Sequence, residues 1–162
     1  MIELREITWD NFWDVVGLKP TDSQIKYLPT NAVFMAQAYI NLKAGDDGDI
    51  CFSIYCNDCL IGFTKIVLVP NGLLPFDFLE DSYYLDAFMI DAKHQGKGYG
   101  RLALSEIIKF IQSKPWGNVD LIKLSCYDEN TLAISLYETS GFVRTNRFIK
   151  GKDGLRIYDY HG

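Results

Sequence analysis

The chain has 162 residues, with 16 Lys and Arg against 21 Asp and Glu, for a net charge of −5. A domain of this length buries roughly two-thirds of its unfolded surface, and 48% hydrophobic with 23% charged residues excludes disordered and fibrous classes. The acidic balance argues against sequence-independent binding to nucleic acid or to an anionic membrane surface, which need a dense basic face, and leaves small cationic molecules as fitting partners.

Apolar runs such as Ile66 to Val69 fall far short of the roughly 20 residues that span a bilayer. The stretch Met1 to Glu6 alternates and carries charge where a secretion signal would be basic and then apolar, so the expected location is the cytosol. No repeat, linker or low-complexity tract divides the sequence, and 1–162 is read as one domain.

In chain order, Ile2 to Ile7 alternates as an opening strand, followed by short helical segments for which Asp10 and Asp22 are candidate caps. Met35, Ala38, Tyr39 and Leu42 follow a helical spacing, which predicts an amphipathic helix over about Asn31 to Lys43 that ends at Gly45. Ile50 to Tyr55 and Leu60 to Val69 read as a hairpin turning at Asn57-Asp58, and Pro70-Asn71-Gly72 turns into an aromatic, acidic loop through Asp81. A strand over Tyr83 to Asp91 precedes a helix opened by Gly96 to Gly100, with Leu104, Ile107, Ile108 and Ile111 as its apolar stripe and Pro115 as its stop. A strand from Leu121 to Cys126 comes next, then a helix capped by Asp128 or Asn130 and ended at Ser140-Gly141. Two strands, Phe142 to Lys150 and Leu155 to Tyr160, turn at Asp153-Gly154. This order suggests an α/β fold with a mixed sheet covered by helices on both faces.

The chain has 4 cysteines, and Cys56-Asn57-Asp58-Cys59 has a C-x-x-C spacing. Neither histidine supplies a second ligand pair, so the expectation is two reduced cysteines beside a tight turn, with no metal. Chemistry is concentrated instead in Gln95-Gly96-Lys97-Gly98-Tyr99-Gly100-Arg101, between a hydrophobic strand and an amphipathic helix. A helix start offers unpaired N–H groups and a partial positive charge, and glycines let a phosphate approach the backbone. With Lys93, Lys97 and Arg101 around it, the turn suits a pyrophosphate. Its glycine spacing is neither the Rossmann fingerprint nor a P-loop.

Gln95, Gly98 and Gly100 resemble the Gln/Arg-x-x-Gly-x-Gly/Ala acetyl-CoA loop of the GCN5-related N-acetyltransferases (GNAT). The resemblance extends from Leu85 to Ile90, and on to Glu129-Asn130, Tyr137 and Ser140-Gly141-Phe142. It implies a GNAT fold: a mixed, mostly antiparallel central sheet of about seven strands with helices on both faces, splayed at the acetyl-CoA site. It further implies that Phe88, Met89 and Ile90 offer backbone groups to the pantetheine arm and that Gln95 to Arg101 cradle the pyrophosphate. Asn130 would hydrogen-bond the arm, and Tyr137 would protonate the departing thiolate. Asn130 and Tyr137 are separated by seven residues, about two turns and roughly 10 Å along one helix face. A packed core tyrosine and a simple helix N-cap are the alternatives for these two residues. The resemblance leaves a homodimer open, and no interface pattern diagnoses one.

Asp86 interrupts an apolar strand and alternates with Phe88 and Ile90, where an unpaired carboxylate is costly to bury. It should therefore face a cavity or a cation. An amine must lose its proton before attacking a thioester, yet a primary alkylamine has a solution pKa of roughly 10.4. Asp86 is the candidate base or amine ligand, as the polyamine-acetylating branch of the family implies; Asp77, Glu80 and Asp81 on the preceding loop could attract further positive charge, with ordinary solvated surface acids as the alternative. The alternative for Asp86 is a strand-edge acid in a salt bridge. Pro20-Thr21-Asp22-Ser23-Gln24, Asn31 and Ala36-Gln37-Ala38-Tyr39 are similar to the opening of bacterial spermine/spermidine N-acetyltransferases, with Phe34-Met35 in place of their customary serine-leucine. The implied reaction is direct acetyl transfer to a primary amine of a polyamine. Another amine acceptor (an aminoglycoside, another antibiotic amine or a peptide N-terminus) or a non-catalytic acyl-CoA sensor are the competing readings. An acyl-cysteine route through Cys126 lacks a histidine to activate it.

Overall fold

A computed structural model describes residues 1–162. Its strands are β1 (Ile2–Glu6), β2 (Asp49–Cys56), β3 (Cys59–Val69), β4 (Ser82–Ile90), β5 (Ile122–Tyr127), β6 (Phe142–Phe148) and β7 (Leu155–Tyr160). They form one seven-stranded sheet in the order β1-β2-β3-β4-β5-β7-β6. Every neighbouring pair is antiparallel except β4 and β5. The helices are α1 (Phe12–Gly17), α2 (Asn31–Lys43), α3 (Tyr99–Gln112) and α4 (Thr131–Thr139). No helix is long and apolar enough to cross a membrane.

The main core lies between the sheet and α3. Ala103, Leu104, Ile107, Ile108 and Ile111 are buried along one stripe of α3, against Ile54, Ile66, Leu85 and Leu124 of the sheet. Each leucine or isoleucine side chain among these stabilises the fold by roughly 1.5–3 kcal/mol when removed from water. On the opposite face, Val15 of α1 and Phe34 of α2 pack with Phe63, Ala87 and Met89. The Asn31 amide donates to the Val15 carbonyl at 2.9 Å and locks the two N-terminal helices together. The hairpin turns at Asn57-Asp58 as expected. Both residues have left-handed φ values, 48° and 65°, the requirement of a type I′ turn.

Two local expectations are corrected, and one left open is resolved. The α1 cap is Asn11 and the 3₁₀ turn Ile25–Tyr27 begins after Gln24, so neither Asp10 nor Asp22 caps a helix. Asn11 holds its place through tertiary bonds, its amide donating to the Glu6 carbonyl and to Ser53 Oγ. Helix α2 has the predicted limits but buries Asn31 and Phe34, while Tyr39 and Leu42 are 60% and 55% exposed. The reason is that α2 divides its inward side between the core at Phe34 and an open cavity at Gln37, Ile40 and Asn41. At the start of α4, Asn130 is the cap, its Oδ1 accepting from Ala133 N. Asp128 binds Arg156 and Arg144 instead.

Candidate active site

The parallel pair β4–β5 is three residues long: Tyr83 faces Ile122, Tyr84 faces Lys123 and Leu85 faces Leu124. Beyond Leu85, β4 continues to Ile90 beside β3 alone, so the sheet opens between β4 and β5. The Tyr84 hydroxyl and Ser125 Oγ hydrogen-bond across the start of the gap. Burial, then the nearby Asp86 charge, pushes the Tyr84 phenol well above its ordinary range. A cavity of about 910 Å³ occupies the gap. It is lined from the α4 side by Asn130, Ala133, Leu136 and Tyr137, and from the α2 side by Phe34, Asn41, Lys65 and Asp86. It therefore joins the two faces of the sheet.

The α3–α4 side holds the glycine loop. Gly96 and Gly98 have left-handed φ values of 73° and 82°, and no heavy atom lies within 4 Å of where a Cβ would stand on either. Gly98 is the α3 N-cap. None of the N–H groups from Gly96 to Arg101 finds an acceptor in the chain, so a run of donors is left at a helix start, a setting that fits a pyrophosphate. Asp91 fixes the approach to this loop. Its Oδ1 accepts from Lys93 N and its Oδ2 from Lys19 N, both at 3.0 Å.

Gln95 braces the loop. Its Nε2 donates to the Ile90 carbonyl and to Gln24 Oε1, both at 2.8 Å. Of the strand residues expected to offer backbone groups, Phe88, Met89 and Ile90 all line the cavity, with the Ile90 carbonyl engaged by Gln95. Gln95, Gly96 and Gly100 also line it, whereas the Lys97 ammonium turns back onto the Lys93 carbonyl. Tyr99 packs edge-on to His94, and Arg101 faces a separate groove between α3 and α4.

Asn130 and Tyr137 both line the cavity from α4. Capping uses the Asn130 Oδ1 and leaves its Nδ2 without a partner in the chain. Tyr137 is buried edge-on to Phe142, and its hydroxyl makes no hydrogen bond within the chain. Burial, with the neighbouring Cys126 sulfur adding to it, raises this phenol well above its ordinary range, so it carries its proton at neutral pH. Cys126 is buried too, and its thiol is pushed up to about 12 by burial and then by Asp128. A thiolate there is disfavoured.

Asp86 stands at a β-bulge. Lys65 faces Ala87 and Ile66 faces Leu85, which leaves Asp86 without an opposite residue on β3. A bulge re-aims a side chain, and the expected alternation of Asp86 with Phe88 and Ile90 fails for that reason. Phe88 and Ile90 pack in the α3 core, while Asp86 joins Lys65 on the α2 face. Lys65 Nζ lies 2.8 Å from Asp86 Oδ2 and 3.2 Å from Asp49 Oδ2. The Lys65 and Asp49 side chains are 4% and 0% exposed, and Asp86 is 20% exposed towards the cavity. Burial alone would pull Lys65 down, but Asp86 and Asp49 outweigh it and hold the ammonium above its ordinary value. Burial raises Asp49, against the bonds from Asn41 and Lys65. Asn41 Nδ2 donates to Asp49 Oδ2 at 2.6 Å, and Asp49 Oδ1 has no partner in the chain.

The loop acids take the solvated position that was the alternative to a role in attracting the acceptor. Asp77, Glu80 and Asp81 are exposed and none lines the cavity. Phe78 anchors the loop in a satellite cluster with Val67, Val69 and Tyr84, which presents Pro75 and Phe76 to the cavity and turns the acids to solvent. The residue that sequence reasoning passed over is Lys65. Its signal was available as a single charge between Gly62 and Val69 in an otherwise apolar strand.

A mixed sheet splayed after a short parallel pair, with a glycine-opened helix N-terminus at one mouth of the gap, defines a GNAT fold. The family model described as the acetyltransferase (GNAT) family matches residues 4–142, and the chain belongs to that family. A spermine/spermidine N(1)-acetyltransferase of Bacillus subtilis is 27% identical over 146 residues, 87% of each sequence. Among solved structures, aminoglycoside acetyltransferase AAC(6')-Ib with coenzyme A superposes with a TM-score of 0.74 at 18% identity, covering 99% of this chain and 94% of its own. Spermidine N-acetyltransferase from Vibrio cholerae, with CoA and spermine, gives 0.65 at 20% identity, covering 98% and 92%. At these identities the solved structures speak to the fold.

Proposed function

We propose that the chain is an acetyl-CoA-dependent N-acetyltransferase that acetylates the primary amine of a small cationic acceptor by direct attack in a ternary complex. The observation that carries this reading is the single cavity through the β4–β5 gap, with the donor loop and Tyr137 on one side and Asp86 on the other. Acetyl-CoA supplies the acetyl group, activated as a thioester. The free N–H groups of Gly96 to Arg101 bind its pyrophosphate, and the β4 edge at Phe88 and Met89, with Asn130 Nδ2, positions the arm. Asp86 holds the acceptor ammonium and takes its proton, directly or through water, which frees the nitrogen lone pair. As the new C–N bond forms and the C–S bond breaks, the Tyr137 hydroxyl gives its proton to the departing sulfur. The buried, protonated Cys126 supports a route with no acyl-enzyme.

The polyamine acceptor expected from the sequence draws its support from the Bacillus relative. The test is release of free CoA thiol on adding acetyl-CoA with spermidine, spermine, simple monoamines, aminoglycosides or short peptides. Saturable, amine-dependent release supports the reading. Tight acetyl-CoA binding with no release for any amine would make the protein a sensor rather than an enzyme.

A further inference from the structure

We infer that Lys65 sets the acceptor's charge, so that the preferred substrate is a primary amine with a single ammonium and an apolar body rather than a polycation. The inference rests on the N-acetyltransferase reading and deepens it. A polyamine carries several ammonium groups, and a pocket that favours it needs several carboxylates. Here the cavity lining contains one carboxylate, Asp86, against two ammonium groups, Lys65 and Lys152. Asp86 already holds Lys65 at 2.8 Å, and the next carboxylate, Asp49, is sealed behind the same lysine.

A chain cation built into the α2 side therefore stands where a second substrate ammonium would find its partner. Lys65 cannot readily leave. Its stem is buried, its ammonium is shared between Asp49 and Asp86, and it lies 5.9 Å from the Phe34 ring centroid. A like charge arriving in this low-dielectric site meets a repulsion that salt screens poorly, the kind of penalty by which a site rejects the wrong partner. The surrounding wall suits the other half of such a substrate. Phe34, Ile40, Phe76, Tyr84 and Ile149 present apolar and aromatic surface to the same cavity that Asp86 lines, which fits an arylalkylamine whose one ammonium reaches the exposed edge of that carboxylate.

The experiment is steady-state thiol release by the full-length chain with phenethylamine, spermidine and spermine at fixed acetyl-CoA, repeated for Lys65→Met. For the unmodified chain, kcat/KM for phenethylamine should exceed that for spermine by roughly tenfold or more, in line with rejection by an unpaired charge. Lys65→Met should close most of that gap, mainly by improving KM for the polyamines. Because Lys65→Met leaves Asp49 buried and unpaired, the double variant Lys65→Met/Asp49→Asn serves as the folded control and should show the same relaxed ranking. If the single variant does not fold, the ranking of the unmodified chain and of the double variant decides the matter. A preference of the unmodified chain for spermine or spermidine would overturn the inference, as would a ratio that does not move when Lys65 is removed. Both results would leave the acetyltransferase reading standing. If no amine releases thiol although acetyl-CoA binds, that reading fails and the inference fails with it.

Discussion

Replacing Lys65 by Met removes a buried cation while keeping most of the stem's volume, and the consequence depends on pH. The side chains of Lys65 and Asp49 are 4% and 0% exposed, with a 3.2 Å contact. Removing one partner of a buried pair costs about 3–5 kcal/mol, because the other charge is left in a poor solvent. For a chain of this size each kcal/mol moves Tm by roughly 2–4 °C, so the expected loss at pH 8 is on the order of 6–20 °C. The sign of the pH dependence follows from the two shifts. Lys65 is held above its ordinary value, so its contribution is complete below an unfolded pKa of about 10.4 and is lost as pH rises through the folded value. Asp49 is raised as well, so its contribution is favourable below an unfolded pKa of about 3.9 and disappears as pH rises through its folded value. Without Lys65 the Asp49 carboxyl rises further, and a proton then cancels the buried charge. Thermal denaturation should therefore show a large loss for Lys65→Met at pH 8 that shrinks towards pH 5. Lys65→Met/Asp49→Asn should recover much of it at pH 8. An equal loss at both pH values would mean that packing of the lysine stem, and not its charge, holds this region together.

Other outcomes follow from the same geometry. Tyr137→Phe should lower kcat by roughly 10²-fold or more with acetyl-CoA affinity nearly unchanged in calorimetry; unaltered turnover would remove this hydroxyl as the proton donor. Gly98→Val forces a β-branched residue into a left-handed position with φ 82°, at a folding cost of roughly 1–2 kcal/mol. It should also weaken acetyl-CoA binding by about tenfold or more where its side chain enters the pyrophosphate's space; a lowered Tm with unchanged binding would put the phosphates elsewhere. Alkylation of the native protein at pH 8 should modify exposed Cys59 and spare Cys126, whose thiol is pushed up to about 12 by burial. Turnover should survive Cys126→Ala, whereas its abolition would point to an acyl-cysteine.

Much of the fold was legible because its signals are local. The α3 stripe from Leu104 to Ile111, the Asn57-Asp58 turn and the glycine loop each report a period, a turn chemistry or a helix start within a few residues. The failures share a different origin. The outward turn of Tyr39 and Leu42 depends on a cavity that exists only once α2 lies over the splayed strands. The cost of burying Asp86 called for a cavity or a cation, and it has both, the cation being Lys65 in the kind of salt bridge that was the alternative to a role as base. Its bulge is a property of the β3–β4 register, which a single strand does not disclose. The two readings of Asp77, Glu80 and Asp81, substrate attractor or solvated loop acids, could not be separated in the sequence because the burial of Phe78, which turns them outward, is a tertiary contact. Lys65 could be noticed in its own strand, but its meaning came from Asp49 and Asp86, which lie on two other strands.

The central claim is that donor and acceptor meet through one opening in the sheet, with both bound at once. Initial velocities measured while acetyl-CoA and an accepted amine are each varied against fixed levels of the other test it most directly. Double-reciprocal lines that intersect are the expected result. Parallel lines, with burst release of CoA before any amine is added, would show an acyl-enzyme and contradict the ternary arrangement.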